Sequence, residues 1–220
     1  MFNSLPFSTL VNIAVVIAIL ALSVAIHEAM HGFVAHKLGD DTAALEGRLT
    51  LNPLKHIDLL MTVLLPAVLL LIGSNPIFVA KPVPIDTRRL KYDEFGMAWV
   101  GLAGPLTNLA LAVLGAIVAR LAGVHLNISD GLIYASTAGL VFYTFISINV
   151  ALFVFNMIPL PPLDGSRLLY AFAPDPVRRV MEQIEAVGFF IIIFVLLVLS
   201  SAILPIVRTV TESIVTFLLR

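Results

Sequence analysis

The chain of 220 residues is 60% apolar and only 12% charged, with a mean hydropathy of +1.04, whereas an ordinary globular domain runs about 45–50% apolar and about 25% charged. Its charges fall in clusters between uncharged stretches, most of them long enough to cross the roughly 30 Å hydrocarbon core of a bilayer, which excludes a soluble enzyme and a nucleic-acid binder. The net charge of −1 is uninformative about partners, and with no cysteine there are no disulfides or thiolate sites.

The composition predicts an all-α polytopic membrane protein of about five to six transmembrane helices, built as one integral membrane domain over residues 1–220. The first apolar stretch has no Lys or Arg ahead of it and no small-residue cleavage site behind it, so it reads as a retained span, Leu10 to Ala35, rather than a signal peptide. The polar stretch His36 to Asp58 follows. Within it, Leu45 to Leu51 partly alternates apolar and polar residues, the period of a strand, until Asn52-Pro53 stops it. This predicts a short β-hairpin-like element. Leu59 to Gly73 is apolar but short, with Pro66 inside it, and Lys81-Pro82-Val83-Pro84 should run extended.

Further spans are predicted at Met97 to Ala119 and Leu132 to Ile158, followed by a proline-rich turn from Pro159 to Gly165. After a basic linker comes another span at Ala186 to Ile203. The tail from Val207 to Leu219, interrupted by Arg208 and Glu212, reads as a weak last span or an interfacial helix. The core is thus expected over about residues 10–165, with C-terminal helices over about 178–220.

Near the end of the first span stands His27-Glu28-Ala29-Met30-His31. Residues i and i+4 lie one turn apart on the same helix face, so both imidazoles can reach one metal ion with Glu28 beside them. That arrangement suits Zn²⁺ and places a carboxylate where it can take a proton from water. Ionisable groups inside a span are costly and usually functional. Catalytic zinc normally has three protein ligands, and the best third candidate is Asp164. It sits on a backbone that Pro159, Pro161, Pro162 and Gly165 keep from forming a regular helix, just past a span, where it can point back toward the membrane interior.

The two motifs together, His27 to His31 in an early span and Asn156-Met157-Ile158-Pro159-Leu160-Pro161-Pro162-Leu163-Asp164-Gly165 at the end of a later one, resemble the site-2 protease family of intramembrane zinc metalloproteases. Ala103-Gly104-Pro105-Leu106-Thr107-Asn108 looks like a third element of that family, and the resemblance covers about Val24 to Gly165. It implies one zinc ion per chain held by His27, His31 and Asp164, with Glu28 as the catalytic base. Asn156 would position substrate or stabilise the developing oxyanion. The substrate would be a transmembrane protein or peptide cut within the lipid bilayer, as in regulated intramembrane proteolysis. With no PDZ-like or nucleotide-binding domain in view, the chain resembles a minimal prokaryotic form.

Of the other polar residues, His36, His56 and His125 are expected to be solvated, Gly104-Pro105 with Asn108 to ease helix packing, and Tyr92, Met97 and Trp99 to anchor an interface. Extended segments at Glu46 to Leu51 or Ala80 to Pro84 are candidates to pair with an unwound substrate by strand addition.

The ligands also constrain topology. His27 and His31 lie toward the exit of the first span, so Asp164 must emerge on the same side. That holds if Leu59 to Gly73 is re-entrant and fails if it crosses. The re-entrant arrangement places Lys37, Arg48, Lys55, Lys81, Arg88, Arg89, Lys91, Arg167, Arg178 and Arg179 together and leaves Arg120 and Arg208 opposite, with Arg220 depending on the tail. By the positive-inside rule the site then opens to the cytoplasm of a multi-pass cell-membrane protein.

Two other classes compete with a protease. A metal transporter or sensor needs no general base and should show polar residues along a path across the membrane. A catalytically dead scaffold would not need Glu28 and Asp164 intact.

Overall fold

The computed structural model describes residues 7–56, 81–124, 137–187 and 200–220, and among them every regular element is helical. The helices are α1 (Phe7–Lys37), α2 (Thr42–Leu45), α3 (Asp93–Leu121), α4 (Thr137–Asn156), α5 (Gly165–Phe172), α6 (Asp175–Val187) and α7 (Ser200–Leu219), with 3₁₀ turns at Pro53–His56 and Thr87–Arg89. Three of them, α1, α3 and α4, are long and apolar enough to cross a membrane. The expected five to six spans thus reduce to three among the described residues. Leu59 to Gly73 and most of Ala186 to Ile203 lie outside those residues. The predicted tail forms the second half of α7.

The β-hairpin-like element is absent from the described residues. Residues 46–51 form a turn and irregular backbone, with Gly47 at φ 64°. The alternation there reflects a different arrangement: Arg48 is buried and its Nη1 donates to the carbonyl of Lys55. Such a run becomes a strand only if another strand accepts its backbone groups, and the described residues supply none.

α3 is the central helix, packed against both α1 and α4, which also touch each other, with α5 across its N-terminal half. Its buried face carries Gly101, Gly104, Asn108, Ala112, Gly115, Ala116 and Ala119, a stripe of mostly small residues at helical spacing. Between helices in lipid there is no hydrophobic drive, so close packing of such residues supplies the contact. Toward one end Ala112 and Ala116 pack with Ile146 and Val150 of α4 and Val215 of α7. At the other end, Ala35 of α1 and Val100 of α3 pack with Leu90.

The exit of α1 is capped by a Schellman motif. The Gly39 N–H donates to the His36 carbonyl at 3.1 Å and the Asp40 N–H to the Ala35 carbonyl at 3.0 Å, with Gly39 at φ 106°, a conformation that glycine adopts without steric cost. The chain turns sharply there. The Lys91 N–H then donates to the Leu38 carbonyl at 2.8 Å, so α3 begins beside the end of α1. The His56 carbonyl accepts the Lys81 N–H at 2.9 Å, and the chain therefore re-enters the described structure where it left it. The end of α1, the start of α3 and the end of α4 all lie on one side.

Candidate metal centre and active site

The first half of the site lies on α1, one turn apart on its buried face, and the second half on the irregular segment between α4 and α5. His27 Nε2 and His31 Nε2 stand 3.0 Å apart, and Asp164 Oδ2 lies 3.1 Å from the first and 3.3 Å from the second. Ligands about 2.0–2.2 Å from a tetrahedral zinc stand roughly 3.3–3.5 Å from one another, so this triangle is close to the size a zinc ion requires. Both histidines are buried and Asp164 is half-buried.

The protons point to the same conclusion. His31 Nδ1 lies 2.7 Å from the carbonyl of Val100, which can only accept, so that nitrogen carries the hydrogen. His27 Nδ1 lies 2.5 Å from Asn108 Oδ1 and donates likewise. Two Nε2 lone pairs and a carboxylate oxygen thus converge, and such a cluster needs a positive charge at its centre, a proton or a metal ion. The residues fit a zinc ion.

Gly104 makes this convergence possible. A Cβ at that position would lie 2.6 Å from His27 Nε2 and collide with His31 Nε2, so only glycine lets α3 pass behind the two rings. Expected as a packing feature, Gly104 is one. Asn108, expected to serve the same purpose, instead holds a ring nitrogen of His27 through its side-chain oxygen.

Glu28 lines the same cavity, which has a volume of about 330 Å³ and mostly apolar walls including Val24, Met97, Val100, Leu152, Phe155 and Leu163. Its Oε2 accepts the backbone N–H of Val83 at 3.1 Å. Asn156 lines the cavity as well, at the last turn of α4, with its Nδ2 donating to the Leu152 carbonyl at 3.0 Å. All five candidate residues therefore border one cavity.

Sequence reasoning missed the segment Lys81 to Asp86 as a structural part of the site. It is fixed at three points: Lys81 N–H to His56, Val83 N–H to Glu28, and Asp86 N–H to Asp40 Oδ2 at 2.7 Å. Asp40 is fully buried and also accepts the backbone N–H and hydroxyl of Thr42. Burial disfavours its charged form, but these donors prevail and lower its pKa from the ordinary value of 3.8.

The remaining histidines divide. His36 pairs with Asp41 in solvent, as expected, at 2.6 Å. His56 is not solvated but buried, its Nε2 2.9 Å from the Thr50 carbonyl. His125 lies outside the described residues. Tyr92 and Trp99 are exposed, as an interfacial anchor requires, while Met97 lines the cavity.

Comparison with known proteins agrees with this chemistry. The family model described as peptidase family M50 matches residues 120–199, which include Asn156 and Asp164. The candidate zinc metalloprotease YwhC of Bacillus subtilis (strain 168) is 38% identical over 199 residues, covering 89% of this chain and 86% of its own length. The candidate zinc metalloprotease Rip2 of Mycolicibacterium smegmatis is 30% identical over 192 residues, 87% of this chain and 70% of that protein. Its namesake from Mycobacterium tuberculosis (strain H37Rv) is 28% identical over 186 residues, 81% and 66%. No solved structure matches the chain significantly. With ligand-competent residues in place and relatives of this similarity over most of its length, the chain belongs to peptidase family M50, the site-2 protease family, and is a metalloprotease.

Proposed function

We propose that this protein is an intramembrane zinc endopeptidase that hydrolyses peptide bonds of membrane-embedded protein substrates. The observation that carries the reading is the triangle of His27, His31 and Asp164 ligand atoms, 3.0–3.3 Å on a side, at the wall of a cavity that Glu28 shares. A single zinc ion held there would polarise the scissile carbonyl and acidify a water.

The chain's own residues divide the remaining work. Glu28 keeps one oxygen on the Val83 N–H and has the other available to accept a proton from water and hand it to the leaving amine. Asn156, on the cavity wall, is the nearby amide that would donate to the developing oxyanion once it releases the Leu152 carbonyl. The apolar walls suit an apolar side chain of the substrate, and a helical substrate must unwind before its carbonyl can enter.

Strand addition along Lys81 to Pro84 has no donor to offer. Pro82 and Pro84 lack an N–H, and those of Lys81 and Val83 are already engaged. Substrate pairing through this stretch would therefore rest on carbonyls alone.

The basic residues around the end of α1, the start of α3 and α6 support an active site opening to the cytoplasm from a multi-pass protein of the cell membrane. The test of the reading is Glu28→Gln, assayed with purified protein and a membrane-embedded substrate. Cleavage should be lost while zinc content stays at one ion per chain. Undiminished cleavage would overturn the assignment of the base.

A further inference from the structure

Away from the metal-ligand cluster, polar side chains continue in single file through three helices. The His27 Nδ1–H donates to Asn108 Oδ1, and Asn108 Nδ2 donates to Asn149 Oδ1 at 2.9 Å. Asn149 Nδ2 donates both of its hydrogens, one to Ser23 Oγ and one to the Phe145 carbonyl, each at 2.9 Å. Asn108, Asn149 and Ser23 are completely buried. Amides are costly inside an apolar bundle unless every donor and acceptor is matched, and here all of those in the Asn149 amide group are.

The direction of this file is fixed at its far end. A main-chain carbonyl can only accept, so the edge of Asn149 that faces Phe145 must be its NH₂. Its oxygen then faces Asn108, which must present NH₂ there and oxygen toward His27. A carboxamide oxygen facing His27 Nδ1 in turn requires a hydrogen on that nitrogen and leaves the lone pair on Nε2, toward His31 and Asp164. Reversing Asn149 would set oxygen against oxygen at Phe145.

We propose that Asn149 is a positioning residue for the metal site, setting the tautomer of His27 through Asn108 from two side chains away. This rests on the reading of His27 as a zinc ligand. A metal-bound imidazole is commonly held by a partner on its other nitrogen, and loss of such a partner costs roughly 10–100-fold in metal affinity. The device here is longer by one residue, and its polarity comes from a backbone carbonyl of α4.

The test uses full-length protein in lipid nanodiscs. Zinc affinity is measured by competition with a chelator, and the His27 ring nitrogens are observed by ¹⁵N NMR in zinc-free protein, assigned by difference with His27→Gln. Asn149→Ala should weaken zinc binding about tenfold and convert His27 from a single Nδ1–H tautomer to a mixture. Asn108→Leu, which leaves the His27 Nδ1–H without its acceptor, should weaken it roughly 10–100-fold. An Asn149→Ala protein with wild-type affinity and an unmixed tautomer overturns the proposal, even if its melting temperature falls. So does an Asn108→Leu protein with wild-type affinity. Should Asn149→Ala not fold, Asn149→Ser is read by the same two measurements with the same deciding outcomes. Failure of the zinc reading itself looks different: wild-type protein would then hold no zinc, or hold it undiminished after His27→Gln.

Discussion

The carboxylate of Glu28 and the backbone N–H of Val83 are joined by a hydrogen bond of 3.1 Å, although 55 residues separate them in sequence. A hydrogen bond to a charged acceptor contributes about 1.5–3 kcal/mol, enough to hold the carboxylate in one orientation. Val83→Pro removes the N–H and suits an extended backbone. Its kcat should fall about tenfold with KM and zinc content little changed. Val83→Ala, which keeps the N–H, should retain the rate. Equal rates for the two variants would show that the amide does not orient Glu28.

Asp164 is the only carboxylate of the triangle proposed to hold zinc. Asp164→Ala should abolish activity and greatly weaken zinc retention, because two imidazoles alone hold the metal poorly. Elemental analysis after dialysis against a weak chelator measures this. Full zinc occupancy in that variant would mean that another residue completes the site.

Asp40 gives the exit of α1 a pH dependence. Its folded pKa lies below the ordinary 3.8, so the stability it contributes is complete above about pH 4–5 and is lost as pH falls through the lower folded value. Asp40→Asn should therefore cost about 1.5–3 kcal/mol at neutral pH, and the gap from wild type should narrow below pH 4. Melting curves across that range decide the matter, and a gap that does not change with pH would contradict the role of the charge.

The natural chain has no cysteine, so single cysteines can be labelled from outside intact cells without background. Positions 55, 88 and 179 are exposed and should resist a membrane-impermeant thiol reagent. A cysteine at position 127 should react. Labelling at 88 but not at 127 would invert the proposed orientation.

The chemistry-bearing residues were legible in the sequence because their signals are local. His27 and His31 are placed on one face by the pitch of a helix, and Asp164 is marked by prolines that break the helix around it. Span positions were legible from hydropathy, with α3 and α4 ending within a few residues of expectation. Residues acting across the fold were not. Asn149 is one polar residue in an apolar span, and nothing in its neighbours indicates that Asn108 and Ser23 flank it. Asn108 did stand out, in Ala103 to Asn108, but its motif fits close packing equally well and only the position of the His27 ring separates the two roles. The Val83 amide carries no sequence signal, since any residue but proline would present it. The alternation around Arg48 misled because a period of two over a few residues is a weak signal, and here it does not follow burial: Leu45 and Leu51 are exposed while Arg48 is buried.

The bond between the His56 carbonyl and the Lys81 N–H joins two positions 25 residues apart in sequence beside the framework that holds the site. The two residues of that junction mark where a foreign segment can be grafted.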